Sequence, residues 1–174
     1  MSVAKDAFRK VVVVDDSPAI RSSAESVLRQ AGYDVFTLGN GADALEWIKT
    51  NKPDVVLLDL SLPDLDGGKL CELVKTDSSL QRIFIFMLLN SNEIKRLKDL
   101  KALGADGCVI KPFVPKDLVD HLESVLGRAK SEDKVEISKQ NKRETKSPRR
   151  EPHSYEWFIS EMKKETEGES PEEP

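Results

Sequence analysis

Two adjacent carboxylates, Asp15 and Asp16, end the first apolar run of the chain in VVVVDDSPAI, residues 11 to 20. Like charges at the rim of a low-dielectric interior raise each other's pKa unless something positive holds them ionised. Taken alone, such a pair is more often the point where a buried strand surfaces. Two other stretches change that weighting. Asp59 closes an apolar run in VVLLDLSLPDLDG, and Lys111 closes another in CVIKPF. Oxygen ligands without a histidine or thiolate select a hard cation, and a shallow site that keeps its waters suits Mg²⁺. Such an ion keeps the doublet ionised and leaves Asp59 usable as a nucleophile. Lys111 supplies a point charge for a phosphoryl oxygen, so the chemistry of this set is phosphoryl transfer onto a carboxylate. It requires all four residues to meet.

The elements that bring them together are legible as periodicity. Val11–Val14, Val35–Leu38, Val55–Leu58, Ile83–Leu89 and Cys108–Ile110 read as strands, all but Val35–Leu38 unbroken apolar runs suited to a parallel sheet covered on both faces. Ser17-Pro18 is an N-cap with proline at the first helical position, and that helix stops near Gly32. Ala42 to Lys49 and Lys69 to Val74 carry apolar residues at helical spacing. Asn90-x-x-Glu93 resembles a capping box that opens one helix running to Gly104. Pro115 opens the last helix, with Leu118, Leu122, Val125 and Leu126 inward, and Gly127 is expected to end it. Five strand–helix units predict an α/β sheet with helices on both faces. Ligands in such folds bind beyond the carboxyl ends of the strands. Asp15, Asp16, Asp59 and Lys111 all fall there.

The totals exclude several classes. The 174 residues carry a net charge of −4, which gives no basic excess for nucleic acid. Cys71, Cys108, His121 and His153 form no metal-ligand spacing. The N-terminus has no apolar leader, and no run approaches the ~20 apolar residues of a membrane helix. A cytoplasmic protein with reduced thiols is the expectation.

VVVVDDSPAIR, VVLLDLSLPDLDG and GADGCVIKPF, in that order, resemble the receiver domain of two-component response regulators over roughly residues 9 to 128. The resemblance implies a flavodoxin-like (βα)5 fold with strand order 2-1-3-4-5. It implies Asp59 as phosphoacceptor from a kinase phosphohistidine, with Mg²⁺ bound directly by Asp16, Asp59 and the backbone carbonyl of Ser61. Asp15 would act through a metal-bound water, Lys111 would contact the phosphoryl group, and Pro112 would follow a peptide bond that is often cis. Two positions depart from the pattern. Leu89 stands where such domains usually end the fourth strand in Thr or Ser, and Cys108 stands where an aromatic switch residue is usual. The acids and the lysine are present, whereas the usual coupled hydroxyl–aromatic movement loses its residues. Ser91 lies two positions beyond Leu89 and is a poor substitute.

Composition changes after the receiver-like region. Residues 1–8 read as an N-terminal extension and 129–153 as a charged, disordered linker. Lys139 to Arg150 holds six basic residues against one acidic, favouring a solvated linker over a nucleic-acid contact. Residues 154–166 suggest a short amphipathic helix presenting Tyr155, Trp157, Phe158, Ile159 and Met162, and 167–174 an acidic disordered tail. A helix this short is marginal alone, so its aromatic stripe either packs back on the receiver or docks in a partner's groove, and the long charged linker favours docking. The expected function is a single-domain receiver in a phosphorelay, not an enzyme beyond its own phosphorylation and dephosphorylation. Its expected partners are a sensor histidine kinase or phosphotransfer protein and a downstream protein, bound through the receiver face or the tail helix, with no DNA-binding domain. A pseudo-receiver scaffold working constitutively through its tail is the alternative, on the strength of Leu89 and Cys108. A haloacid-dehalogenase-type phosphatase would space its two acids differently, and a flavodoxin would need a hydroxyl- and glycine-rich loop where DDSPAIR stands. Neither accounts for Asp59 together with Lys111.

Overall fold

The computed structural model describes residues 10–139, with the side chains of 10–127. The strands are β1 (Lys10–Val14), β2 (Asp34–Leu38), β3 (Val55–Asp59), β4 (Phe84–Leu89) and β5 (Gly107–Ile110). They alternate with helices α1 (Pro18–Gln30), α2 (Gly41–Asn51), α3 (Gly67–Thr76), α4 (Leu97–Ala102) and α5 (Pro115–Lys139). All pairings are parallel, in the order β2-β1-β3-β4-β5, which is the flavodoxin-like arrangement. The order reverses direction between β1 and β3, so a crevice opens beyond their carboxyl ends. Val14 is level with Leu58, which carries Asp15 and Asp59 out of the sheet side by side.

Both faces of the sheet are covered, as unbroken apolar strands require. Val11, Val13, Val55, Leu57, Phe86 and Leu88 pack with Ala24 and Leu28 of α1 and Leu118, Leu122 and Leu126 of α5. The alternate positions Val12, Val14, Val56, Leu58, Met87 and Leu89 are equally buried. Ser17 caps α1 by accepting from the Ile20 N–H at 3.4 Å. Gly32 follows that helix at φ +93°, the left-handed conformation that closes a helix end. Among the described residues, no helix is long and apolar enough to cross a membrane.

Two expectations need correction. The segment after β4 is not one α-helix from Asn90 but a 3₁₀ turn, Ser91–Arg96, followed by the short α4. Local pattern cannot separate the two, whereas side chains three residues apart line up only in the 3₁₀ form. The last helix also passes through Gly127 to Lys139, so residues 129–139 of the segment read as linker are helical. Gly127 lacks the positive φ by which Gly32 and Gly104 end their helices. A glycine inside a helix costs only about 1 kcal/mol, and polarity reports poor core-forming capacity rather than poor helicity. The compact unit carrying the sheet ends at Leu126, and a second unit begins at Gly127. Residues 1–8, the rest of the linker, Tyr155, Trp157, Phe158, Ile159, Met162 and the acidic tail lie outside the described residues.

Gly67, at the start of α3, packs against the strand that carries Asp59. A Cβ there would stand 2.1 Å from the Asp59 carbonyl oxygen and 2.9 Å from the Leu60 Cα, both backbone atoms that cannot yield. Gly67→Ala should therefore destabilise the domain by about 3 kcal/mol, at the upper end of overpacking effects. Gly127→Ala, with nothing within 4 Å, should leave stability unchanged or raise it by up to about 1 kcal/mol. Urea unfolding of the two variants beside the parent checks the contrast.

Candidate functional site

Beyond the carboxyl ends of β1, β3 and β5, the structure gathers the four residues that the sequence singles out. Asp15 is fully buried and Asp59 is 2% exposed. The Lys111 ammonium sits between them, with Nζ 3.1 Å from Asp15 Oδ2 and 3.1 Å from Asp59 Oδ1. The other oxygen of Asp15 accepts the Ser17 N–H at 2.9 Å, and the Asp15 carbonyl accepts from Arg21 Nη1 at 2.6 Å. The Ser61 N–H reaches Asp59 Oδ1 at 3.3 Å. Lys111 is placed by β5, where its N–H is bonded to the Leu89 carbonyl at 2.7 Å, and the Lys111–Pro112 peptide is cis.

Burial first, and then the charge of Asp15, push the Asp59 carboxyl up to about 6, while Lys111 pulls the other way. Burial alone would lower the Lys111 ammonium. The hydrogen bond that Lys111 donates to Asp15 and the charges of Asp59 and Asp15 outweigh it and hold Lys111 above its ordinary value. Asp16 is exposed at the mouth of the crevice. Asp15, Asp16 and Asp59 each offer an oxygen, all within 4.8 Å of one another. Three ionised carboxylates against one ammonium leave two negative charges, which a divalent cation neutralises. The donor set is all oxygen, which fits a hard ion.

Leu89 and Cys108 are core residues in this structure. Leu89 is fully buried at the end of β4, and Cys108 is 2% exposed, its thiol pushed up to about 12 by burial. Ser91 is exposed in the 3₁₀ turn, with no described bond to the acids. The sequence left unnoticed how the loop after β3 is fixed. Asp64 accepts the Gly41 and Ala42 N–H groups, both at 2.8 Å, at the start of α2. Asp66 caps α3 and pairs with Arg96 at 3.0 Å. The Ser61 hydroxyl donates to Glu93. Glu93 was legible only as half of a capping box, which it does form by accepting the Asn90 N–H at 2.7 Å. No local signal joins residues 32 positions apart.

Residues 11–123 match the response regulator receiver domain family. "Probable transcriptional regulator ycf27" of Guillardia theta is 40% identical over 119 residues, covering 68% of this chain and 46% of that protein. "DNA-binding response regulator MtrA" of Mycolicibacterium smegmatis is 34% identical over 124 residues, covering 71% of this chain and 53% of that one. Among solved structures, the chemotaxis protein CheY4 of Vibrio cholerae superposes with a TM-score of 0.65 at 34% identity, covering 69% of this chain and all of that one. The chain thus spans about half the length of the two regulators. Their names correct the partner expectation, which confined the output to protein contacts without a DNA-binding domain. Charge balance and motifs report on the residues at hand and do not set the output to which a receiver is coupled. The matching family and these relatives, which are named as regulators, agree with the geometry of the crevice: the chain belongs to the response regulator receiver domain family.

Proposed function

We propose that the protein is a phosphorylation-controlled receiver that accepts a phosphoryl group on Asp59 from the phosphohistidine of a kinase, with Mg²⁺ as cofactor. The observation that carries this reading is the Lys111 ammonium, shared at 3.1 Å between buried Asp15 and Asp59. Asp16, Asp59 and the Ser61 carbonyl would hold the ion directly, and Asp15 through a water. Bound Mg²⁺ would neutralise charge on the transferring phosphoryl oxygens. An Asp59 oxygen attacks phosphorus, the bond from phosphorus to the imidazole nitrogen breaks, and its electron pair stays on that nitrogen. Lys111, already oriented by Asp15, offers an ammonium to a phosphoryl oxygen without reorganising. Leu89 offers no hydroxyl to the hydrolytic step, so the phosphorylated form should be long-lived.

Incubation with acetyl phosphate and Mg²⁺ should add one phosphoryl group by intact mass, and Asp59→Asn should remain unlabelled. Labelling of Asp59→Asn at the parent's rate overturns the assignment. If neither protein is labelled, even by a cognate kinase, a constitutive scaffold takes its place. Leu89→Thr should shorten the lifetime of the phosphorylated form.

Mg²⁺ binding should depend on pH through Asp59. Its carboxyl keeps a proton up to about 6 in the folded protein, above the ordinary 3.8. The ion must expel that proton at lower pH and not at higher pH. Calorimetric titration should show the Mg²⁺ association constant falling about tenfold per pH unit below that value and levelling above it. Asp59→Asn should bind more weakly and lose this dependence.

A further inference from the structure

The 3₁₀ turn after β4 is tied to the loop after Asp59 by two parallel side-chain links. The Ser61 hydroxyl donates to Glu93 Oε1, and Arg96 Nη1 lies 3.0 Å from Asp66 Oδ2. Both sides of this clasp are built for it. Ser61 and Asp66 stand opposite each other in an isolated antiparallel bridge, closed by the Gly67 N–H to the Leu60 carbonyl at 2.8 Å. Glu93 and Arg96 are three residues apart in a 3₁₀ turn, where side chains at that spacing eclipse. The turn thus presents one anion and one cation in line to a hydroxyl and a carboxylate.

The clasp is joined to Asp59 at both ends of the loop. The Ser61 N–H is bonded to the Asp59 carboxylate, and Gly67 packs on the Asp59 carbonyl. We propose that the Ser61–Glu93 link is the element through which a phosphoryl group on Asp59 acts on the 3₁₀ turn and α4, in a chain whose Leu89 has no hydroxyl to do so. This rests on Asp59 being the phosphoacceptor. An acyl phosphate carries about two negative charges near neutral pH, where the free carboxylate carries one. The Ser61 hydroxyl has one proton to donate and then has two anionic acceptors, Glu93 and the phosphoryl oxygens. Turning that hydrogen bond to the phosphoryl group, with the proton still on the Ser61 oxygen, leaves the Glu93 carboxylate unbonded on that side and repelled by the added charge. Phosphate then favours a released turn over a clasped one, and this differential contact is what a population shift requires.

The test reads phosphate-mimic binding and turn release separately. Beryllofluoride with Mg²⁺ is added to the parent, Ser61→Ala and Glu93→Gln. Bound mimic is followed by fluorine NMR, and amide exchange of residues 91–97 by mass spectrometry. In the parent, bound mimic should raise exchange in that segment about tenfold, as expected when a local closing contact is lost. Ser61→Ala should show raised exchange before any addition. Glu93→Gln keeps an acceptor for the hydroxyl but loses the charge, so it should bind the mimic and respond much less. Bound mimic in the parent without a rise over 91–97, or a Glu93→Gln response equal to the parent's, overturns the proposal while leaving the phosphoacceptor reading intact. Absence of bound mimic in the parent overturns both.

Discussion

The site depends on one largely enclosed ammonium, that of Lys111. Asp15 and Asp59 are withdrawn almost wholly from water at neighbouring strand ends. Two carboxylates so placed would resist ionising together without a counter-charge between them. Lys111 supplies it from the far edge strand, reaching both at equal distance. That pairing fixes the relative placement of three strand ends, β1, β3 and β5, across a sheet whose order puts β4 between the last two. Removing one partner of such a buried set leaves an uncompensated charge, which is far more costly than the net worth of the pair. The site and the sheet are therefore held together by the same electrostatic requirement.

Around that centre, the backbone after β3 is unusually constrained. Gly67 allows α3 to begin in contact with the strand that carries Asp59, at a separation no other residue tolerates. Asp64, Asp66 and Ser61 then anchor the intervening loop to α2, to α3 and to the 3₁₀ turn. Leu89 and Cys108 belong to the packed interior, and the polar connection between the two loops runs at the surface instead.

The architecture was legible in the residue pattern, and so was the meeting of Asp15, Asp16, Asp59 and Lys111 at one edge of the sheet. Short unbroken valine and leucine runs suit strands buried on both faces, and those of β1 and β3 lead into Asp15 and Asp59. Ser17-Pro18 and Gly32 bounded α1 because a cap and a positive φ are local demands that local residues meet. Tertiary structure decided what depends on partners distant in the chain. The turn after β4 is 3₁₀ rather than α-helical, in register with Ser61 and Asp66, and nothing within that segment encodes a bond across 32 residues. Gly127 stayed helical because a glycine closes a helix where the chain takes up a positive φ, and Gly127 does not take one up. The need for glycine at 67 was equally invisible, since the atom it must not touch, the Asp59 carbonyl, becomes its neighbour only when α3 packs against the sheet.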